Sequence, residues 1–222
     1  LFWKGKKVYI TGHTGFKGSW LSIWLTELGA KVTGYSLPPG TDSSMFKSLS
    51  LEKKVNTVFG DVRDYNELKS QIALAKPDIV IHMAAQALVL ESYKNPLETY
   101  QTNLMGTVNI LNAIRDISSI KVFINVTSDK CYENNDSLKA FKEGDAMGGF
   151  DPYSSSKGCS ELITAAYRSS FFNDTVSIAT ARAGNIIGGG DWALNRIIPD
   201  FIKKINQNQK LSIRNPQAVR PW

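Results

Sequence analysis

The chain is 222 residues long, 42% hydrophobic and 21% charged, the make-up of a soluble globular protein with room for one sizeable core and part of a second. Its formal charge of +6 is scattered rather than gathered into runs, which argues against a nucleic-acid surface and fits either a cleft for phosphorylated ligands or a solvated surface. Cys131 and Cys159 form neither a metal-ligand motif nor a disulfide framework, no apolar run reaches transmembrane length, and no signal peptide is expected before the first strand, so a reducing cytoplasmic setting is expected.

Short apolar runs alternate with longer amphipathic ones along the chain. The β-branched run KVYITG at 7–12 predicts a strand buried on both faces. A helix is expected over 15–28, ended by Gly29, and a second strand over 31–36. A third strand at 55–61, a helix at 64–75 stopped before Pro77, and a fourth strand at 78–85 follow. The stretch 96–116 predicts a long helix with Leu104, Val108 and Leu111 on one face. A fifth strand at 121–128, a helix at 154–172 and a sixth strand at 176–182 complete the pattern. Alternation at this spacing predicts an α/β fold, a doubly wound parallel (Rossmann) sheet with right-handed crossovers. From Gly184 the pattern loosens into loops, a helix near 196–207 and a short strand within LSIRNPQAVRPW. Residues 1–182 are expected to form a dinucleotide-binding domain and 183–222 the start of a small substrate lobe. Nothing in the last stretch caps or closes a domain, so a piece of a longer protein is expected.

The turn TGHTGFKG follows the first strand and opens the first helix. Gly12 allows a tight turn, Gly15 a close approach of backbone to a pyrophosphate, and Gly18 close packing of helix on sheet. Phosphates would sit on the helix N-terminus. The spacing is GxxGxxG rather than GxGxxG, and a tight turn alone would also use these glycines. The second strand ends Tyr35-Ser36-Leu37-Pro38-Pro39, with neither an acid for a ribose nor a base for a 2′-phosphate, so this position does not choose between NAD and NADP. After the third strand, Asp61 can bond an adenine amino group or cap the next helix.

Ligands of doubly wound sheets bind outside the carboxyl ends of the strands, which places Thr127, Ser128, Asp129 and Lys130, after strand five, beside the glycine turn. Tyr153 and Lys157 are four residues apart at the start of the next helix and so share a face. A tyrosine is a poor base at neutral pH unless a nearby cation favours the phenolate. Tyr153, Lys157 and Ser128 together supply a base, a cation and a hydroxyl for a substrate oxygen.

The combination of TGxxGxxG, YxxxK and a Ser/Thr after strand five resembles the extended short-chain dehydrogenase/reductase superfamily. The finer similarity is to its CDP-glucose 4,6-dehydratase branch. It is carried by TGHTGFKGSWL (11–21), HMAAQ (82–86), NPLETYQTNLMGTVNIL (95–111), TSDKCYEN (127–134), GGFDPYSSSKGCSEL (148–162) and ARAGNIIGGGDWALNRIIPD (181–200), and it covers nearly the whole chain. The resemblance implies an NAD-dependent hydro-lyase that turns CDP-glucose into CDP-4-keto-6-deoxyglucose. It implies a cytoplasmic homodimer or higher homo-oligomer serving O-antigen and lipopolysaccharide synthesis, with no metal, no nucleic acid and no membrane. The helices near 99–115 and 154–172 would pair across a two-fold axis, unless their apolar faces are buried against the sheet. By resemblance, Gly12, Thr14, Gly15, Phe16, Gly18, Asp61, Val62, Ala84, Ala85, Tyr153 and Lys157 contact the cofactor. Gln86, Asn185, Arg196, Arg214 and Arg220 contact the substrate, with Asn185 and Arg220 on its diphosphate.

In the chemistry so implied, Tyr153 takes the proton of the 4-hydroxyl and Asp129 with Lys130 serves the loss of water. Related dTDP-glucose enzymes carry Asp–Glu there, and the lysine is what points to the CDP-sugar branch. Lys130 is either a base of lowered pKa or a charge that stabilises an enolate. Leu90 stands where the family commonly has an arginine. A 4-epimerase or reductase would not need Asp129-Lys130, and a non-catalytic NAD-binding protein would not need the Ser128, Tyr153 and Lys157 set.

Overall fold

The computed structural model describes residues 1–40, 43–133, 140–172, 176–213 and 215–217. Within them lies one six-stranded sheet of β1 (Lys7–Thr11), β2 (Lys31–Ser36), β3 (Asn56–Phe59), β4 (Ile79–His82), β5 (Val122–Val126) and β6 (Ser177–Ala181). The spatial order is β3-β2-β1-β4-β5-β6, and every neighbouring pair is parallel. Successive side chains of a strand point to opposite faces. Accordingly, Val8 and Ile10 of β1 join one apolar cluster and Tyr9 joins the other. A strand buried on both faces has no polar side, which is why KVYIT reads as a continuous apolar run.

Helices cover both faces. On one side, Leu25 of α1 (Phe16–Glu27) and Phe46 of α2 (Met45–Ser48) pack on Val8, Ile10, Val32 and Ile81. On the other, Leu68 and Ile72 of α3 (Tyr65–Ala75) and Ile110, Leu111 and Ile114 of α6 (Gly106–Ile114) pack on Tyr9, Val80 and Phe123. The apolar face of α6 is thus buried against the sheet. Each such side chain taken out of water contributes about 1.5–3 kcal/mol. Because the chain runs from β1 outward to β2 and β3, then crosses back to β4 on the other side, a crevice opens between the carboxyl ends of β1 and β4.

The expected elements form, with four differences. The long helix of 96–116 is built as α5 (Pro96–Tyr100), a wide π-type turn over Gln101–Met105, and α6. The helix of 154–172 starts two residues early as α7 (Pro152–Tyr167), because Asp151 caps it and Pro152 fits the first turn. Two helices not expected from sequence, α2 and α4 (Val89–Lys94), have four and six residues, too few to show a helical period. The short strand expected near the C-terminus does not form over the described residues 211–213. Gly29 ends α1 as expected, at φ 89°.

Past β6, the one described helix is α8 (Ile197–Asn206), which has no buried residue. No helix among the described residues is long and apolar enough to cross a membrane.

Candidate active site

The crevice holds a cavity of about 370 Å³. One wall is the glycine turn. Gly12 has φ 78°, and a Cβ there would stand 2.7 Å from the Ala84 amide nitrogen at the end of β4. Only glycine permits that approach. A Cβ on Gly18 would stand 2.1 Å from the Gly12 carbonyl oxygen, so this glycine lets α1 close on the turn itself rather than on the sheet. Gly15 is the N-cap of α1, offers no side-chain cap, and no acid follows in the first turn. The first amides of α1 therefore face the cavity with no carboxylate in their way, the arrangement that accepts phosphate.

Thr14 bonds Ser36 Oγ at 2.7 Å and donates to the Leu37 carbonyl at 2.9 Å, which ties the glycine turn to the end of β2. Asp61 lines the cavity, and both its oxygens accept from Arg63, one from the amide at 2.9 Å and the other from Nε at 2.8 Å. It does not cap α3. Asp64 does, accepting from the Glu67 amide at 3.0 Å. Across the crevice, Thr11 Oγ1 accepts from the amides of Met83 and Ala84 at 3.1 and 3.2 Å. With both lone pairs used, its hydroxyl donates to His82 Nδ1 at 2.7 Å, leaving the ring proton on Nε2. Burial, helped by the Lys157 charge, pushes His82 down to about 3 and keeps it neutral.

Asp151 starts α7 by accepting from the Ser154 amide at 2.9 Å, which sets Tyr153 and Lys157 one turn apart on the cavity wall. α4 fixes the entry, because the Tyr153 amide donates to Ser92 Oγ at 3.1 Å. Leu90 sits on this same helix, largely exposed. Burial raises the Tyr153 phenol above its ordinary value, while a hydrogen bond with Ser128 and the Arg196 charge draw it back. Lys157 is buried, and burial together with the Lys17 charge pushes its ammonium down to about 8. Ser128 Oγ donates to Asp129 Oδ1 at 2.9 Å and accepts from the Lys130 amide at 3.2 Å, so the turn Asp129–Cys131 is capped by the residue before it.

A buried ion pair holds this turn against α7. Glu161, one turn beyond Lys157, accepts from Arg182 at 3.0 Å and from the Thr127 hydroxyl. Arg182 also donates to Tyr132 Oη at 2.8 Å and lies over that ring. Burial alone would raise Glu161. The hydrogen bonds from Arg182, Thr127 and Thr180 outweigh it and hold the carboxyl below its ordinary value. β5, the Ser128–Lys130 turn, α7 and the end of β6 are thereby locked into one unit.

Of the candidates from sequence, Gly12, Thr14, Gly15, Phe16, Gly18, Asp61, Val62, Ala84, Ala85, Gln86, Tyr153, Lys157 and Arg196 all line the cavity. Gln86 spends its side-chain amide on Thr99 at 2.9 Å and on Leu88, pinning the segment that leads into α4. Arg196 is paired with Asp191 at 2.9 Å. Ser128, Asp129 and Lys130 are not among the residues that line the cavity; they follow in sequence on Val126 and Thr127, which do. Asn185 is exposed on the loop after β6 and does not line the cavity. Arg214 and Arg220 lie outside the described residues. Sequence reasoning passed over Lys17, Glu161 and Arg182. The first reads as a surface helix position, and the other two lie far apart in the chain with no pattern linking them. Among the described residues no group of His, Cys, Asp and Glu is placed to hold a metal ion.

The profile of the family described as GDP-mannose 4,6 dehydratase matches residues 9–222. The chain is 52% identical over 227 aligned positions to a CDP-glucose 4,6-dehydratase of Salmonella typhimurium, covering 100% of this chain and 63% of that protein. Its fold matches the NAD complex of UDP-glucose 4-epimerase from Brucella ovis with a TM-score of 0.68 at 27% identity, over 80% of this chain and 51% of that one. It also matches the NAD complex of dTDP-glucose 4,6-dehydratase from Bacillus anthracis with a TM-score of 0.78 at 22% identity, over 92% and 62%. The chain thus spans less than two thirds of the length of each.

Replacing Arg182 with Met leaves Glu161 buried without its cation and is expected to cost about 3–5 kcal/mol of stability at neutral pH. The cost shrinks toward acid pH, because an unpaired buried Glu161 takes up a proton that the paired one refuses. Urea unfolding at two pH values measures both effects.

Proposed function

The chain belongs to the GDP-mannose 4,6-dehydratase family, and on that premise we propose that it is the catalytic part of an NAD-dependent nucleotide-sugar 4,6-dehydratase that takes CDP-glucose. The observation that carries this reading is the meeting of an uncapped, acid-free helix N-terminus with Tyr153 and Lys157 at one cavity, with Ser128 and Asp129 beside Tyr153. The 52% identity to a CDP-glucose 4,6-dehydratase supports the substrate.

The residues present fit the cofactor. The Gly12–Gly18 turn leaves a cradle that a Cβ would fill, the first amides of α1 suit a pyrophosphate, and Val62, Ala84 and Ala85 offer an apolar wall. Held there, NAD would supply the hydride acceptor for carbon 4 of the sugar and the hydride donor for carbon 6. Tyr153 Oη takes the proton of the 4-hydroxyl, and Ser128 Oγ turns from Asp129 to bond the same oxygen. The resulting ketone acidifies the proton on carbon 5. Asp129 delivers a proton to the departing 6-hydroxyl, while Lys130 removes the carbon 5 proton or stabilises the enolate. The Glu161–Arg182 pair keeps these two groups at a fixed offset from Tyr153. Asn185 and Arg220 are assigned to the sugar-nucleotide diphosphate and Gln86, Arg196 and Arg214 to other contacts with the substrate, where guanidinium forks suit phosphate. Residues 183–222 are assigned to the start of the substrate lobe, the assembly to a homodimer or higher homo-oligomer, and the location to the cytoplasm.

The full protein, supplied with NAD and offered CDP-, dTDP-, UDP- and GDP-hexoses, is expected to remove one water from CDP-glucose, read by product mass. An altered sugar of unchanged mass would instead mark a 4-epimerase, and bound NAD without turnover a binding protein. Ser128→Ala is expected to lower kcat about 10²-fold. It also moves the rising limb of the pH–rate profile to higher pH, because losing that hydrogen bond makes the Tyr153 phenolate harder to form.

A further inference from the structure

Lys17 is the second residue of α1 and is half-buried. Its side chain lines the same cavity as Tyr153, Lys157 and Arg196. Two of the other cations that line it, Arg63 and Arg196, have acids beside them, and so does Arg182 next to the site. Arg196 has Asp191 at 2.9 Å, Arg63 has Asp61, and Arg182 has Glu161 at 3.0 Å. Lys17 forms no ion pair and no side-chain hydrogen bond among the described residues, although it feels the charge of Asp129.

This arrangement costs the fold free energy. An ammonium loses hydration on entering the crevice, and two more cations face it there. Burial and the Arg196 charge both lower its pKa, and Lys17 in turn lowers that of Lys157. Lys17, Lys157 and Arg196 line one cavity and no carboxylate bonds Lys17, a field that favours an anion at that point. The anion is also bounded in kind, since α1 presents its uncapped amides beside Lys17 and no acid in that turn.

We propose that Lys17 is a diphosphate-binding residue of this crevice, whose ammonium bonds a phosphate oxygen beside the first turn of α1. The proposal rests on reading the cavity as a nucleotide-diphosphate site, but not on which sugar is turned over. The same chemistry comes from two sources, the pyrophosphate of the dinucleotide and the diphosphate of a nucleotide sugar. Lys17 stands two residues past Gly15, in the turn assigned above to the cofactor, yet the charges it feels are those of Asp129 and Arg196, which are assigned above to the substrate. A lysine suits a place reached from either side, as a point charge on a flexible stem rather than a rigid fork.

The test uses the full protein freed of bound nucleotide, as wild type, Lys17→Met, Lys17→Gln and Lys17→Arg. Calorimetry reads the affinity for NAD alone and for CDP in the presence of NAD, with cytidine as the probe that lacks phosphate. Loss of Lys17 is expected to weaken NAD, CDP or both by about 10- to 100-fold, the worth of a charged hydrogen bond, and to leave cytidine unchanged. Lys17→Arg recovers part of the loss. Without nucleotide, Lys17→Met is expected to melt at or above the wild-type temperature, since it removes an unpaired buried charge. A residue that merely braces the helix would lower both melting temperature and binding. Weakening of NAD alone assigns the pyrophosphate, and weakening of CDP alone assigns the substrate. Unchanged affinity for both in a folded Lys17→Met or Lys17→Gln overturns the proposal, as does a wild type that binds neither. A wild type that binds both but turns over no sugar defeats the proposed function and leaves Lys17 standing.

Discussion

At Gly12 the backbone of the first turn comes so near the end of β4 that any side chain would overlap Ala84. That approach sets the width of the crevice at the point where the sheet reverses its direction of growth. α1 leaves the turn aimed into the crevice because Gly18 lets it close on Gly12, and Thr14 anchors the same turn to the end of β2. On the far wall, Thr11 gathers the amides of Met83 and Ala84 and the ring of His82 onto one hydroxyl. The cavity is therefore shaped chiefly by backbone, held open by groups whose hydrogen bonds are already made.

The second half of the site is governed by charge. Glu161 and Arg182 form a buried pair whose value lies less in net stability than in register. It joins the turn that carries Ser128, Asp129 and Lys130 to the helix that carries Tyr153 and Lys157. The cations Lys17, Lys157 and Arg196 surround the cavity, and two of them are depressed by burial. Such a field favours bound anions and lowers the cost of a phenolate, at the expense of the empty protein.

The parallel sheet and the longer helices that cover it were legible in sequence because they rest on local signals: β-branched runs, a glycine turn, a helix stopped before proline. The Tyr153–Lys157 pair and the Ser128–Lys130 turn were legible because strand ends in this topology must share a crevice. Other features arise only from contacts between distant segments. The helix Val89–Lys94 is too short to show a period, yet its Ser92 holds the Tyr153 amide. Either Asp61 or Asp64 could cap the helix at Tyr65, and only backbone geometry chooses Asp64. Glu161 and Arg182 meet because α7 and β6 lie side by side, and Lys17 looks like any lysine on an amphipathic helix until the cavity is seen.

One measurement reaches the central claim, that a single crevice performs oxidation, loss of water and reduction on one bound sugar. The full protein would be given CDP-glucose carrying deuterium at carbon 4, and the product examined by proton and deuterium NMR. The account predicts deuterium at carbon 6 of a 4-keto-6-deoxy sugar, with hydrogen from solvent at carbon 5. Deuterium retained at carbon 4, or lost to solvent, would contradict it.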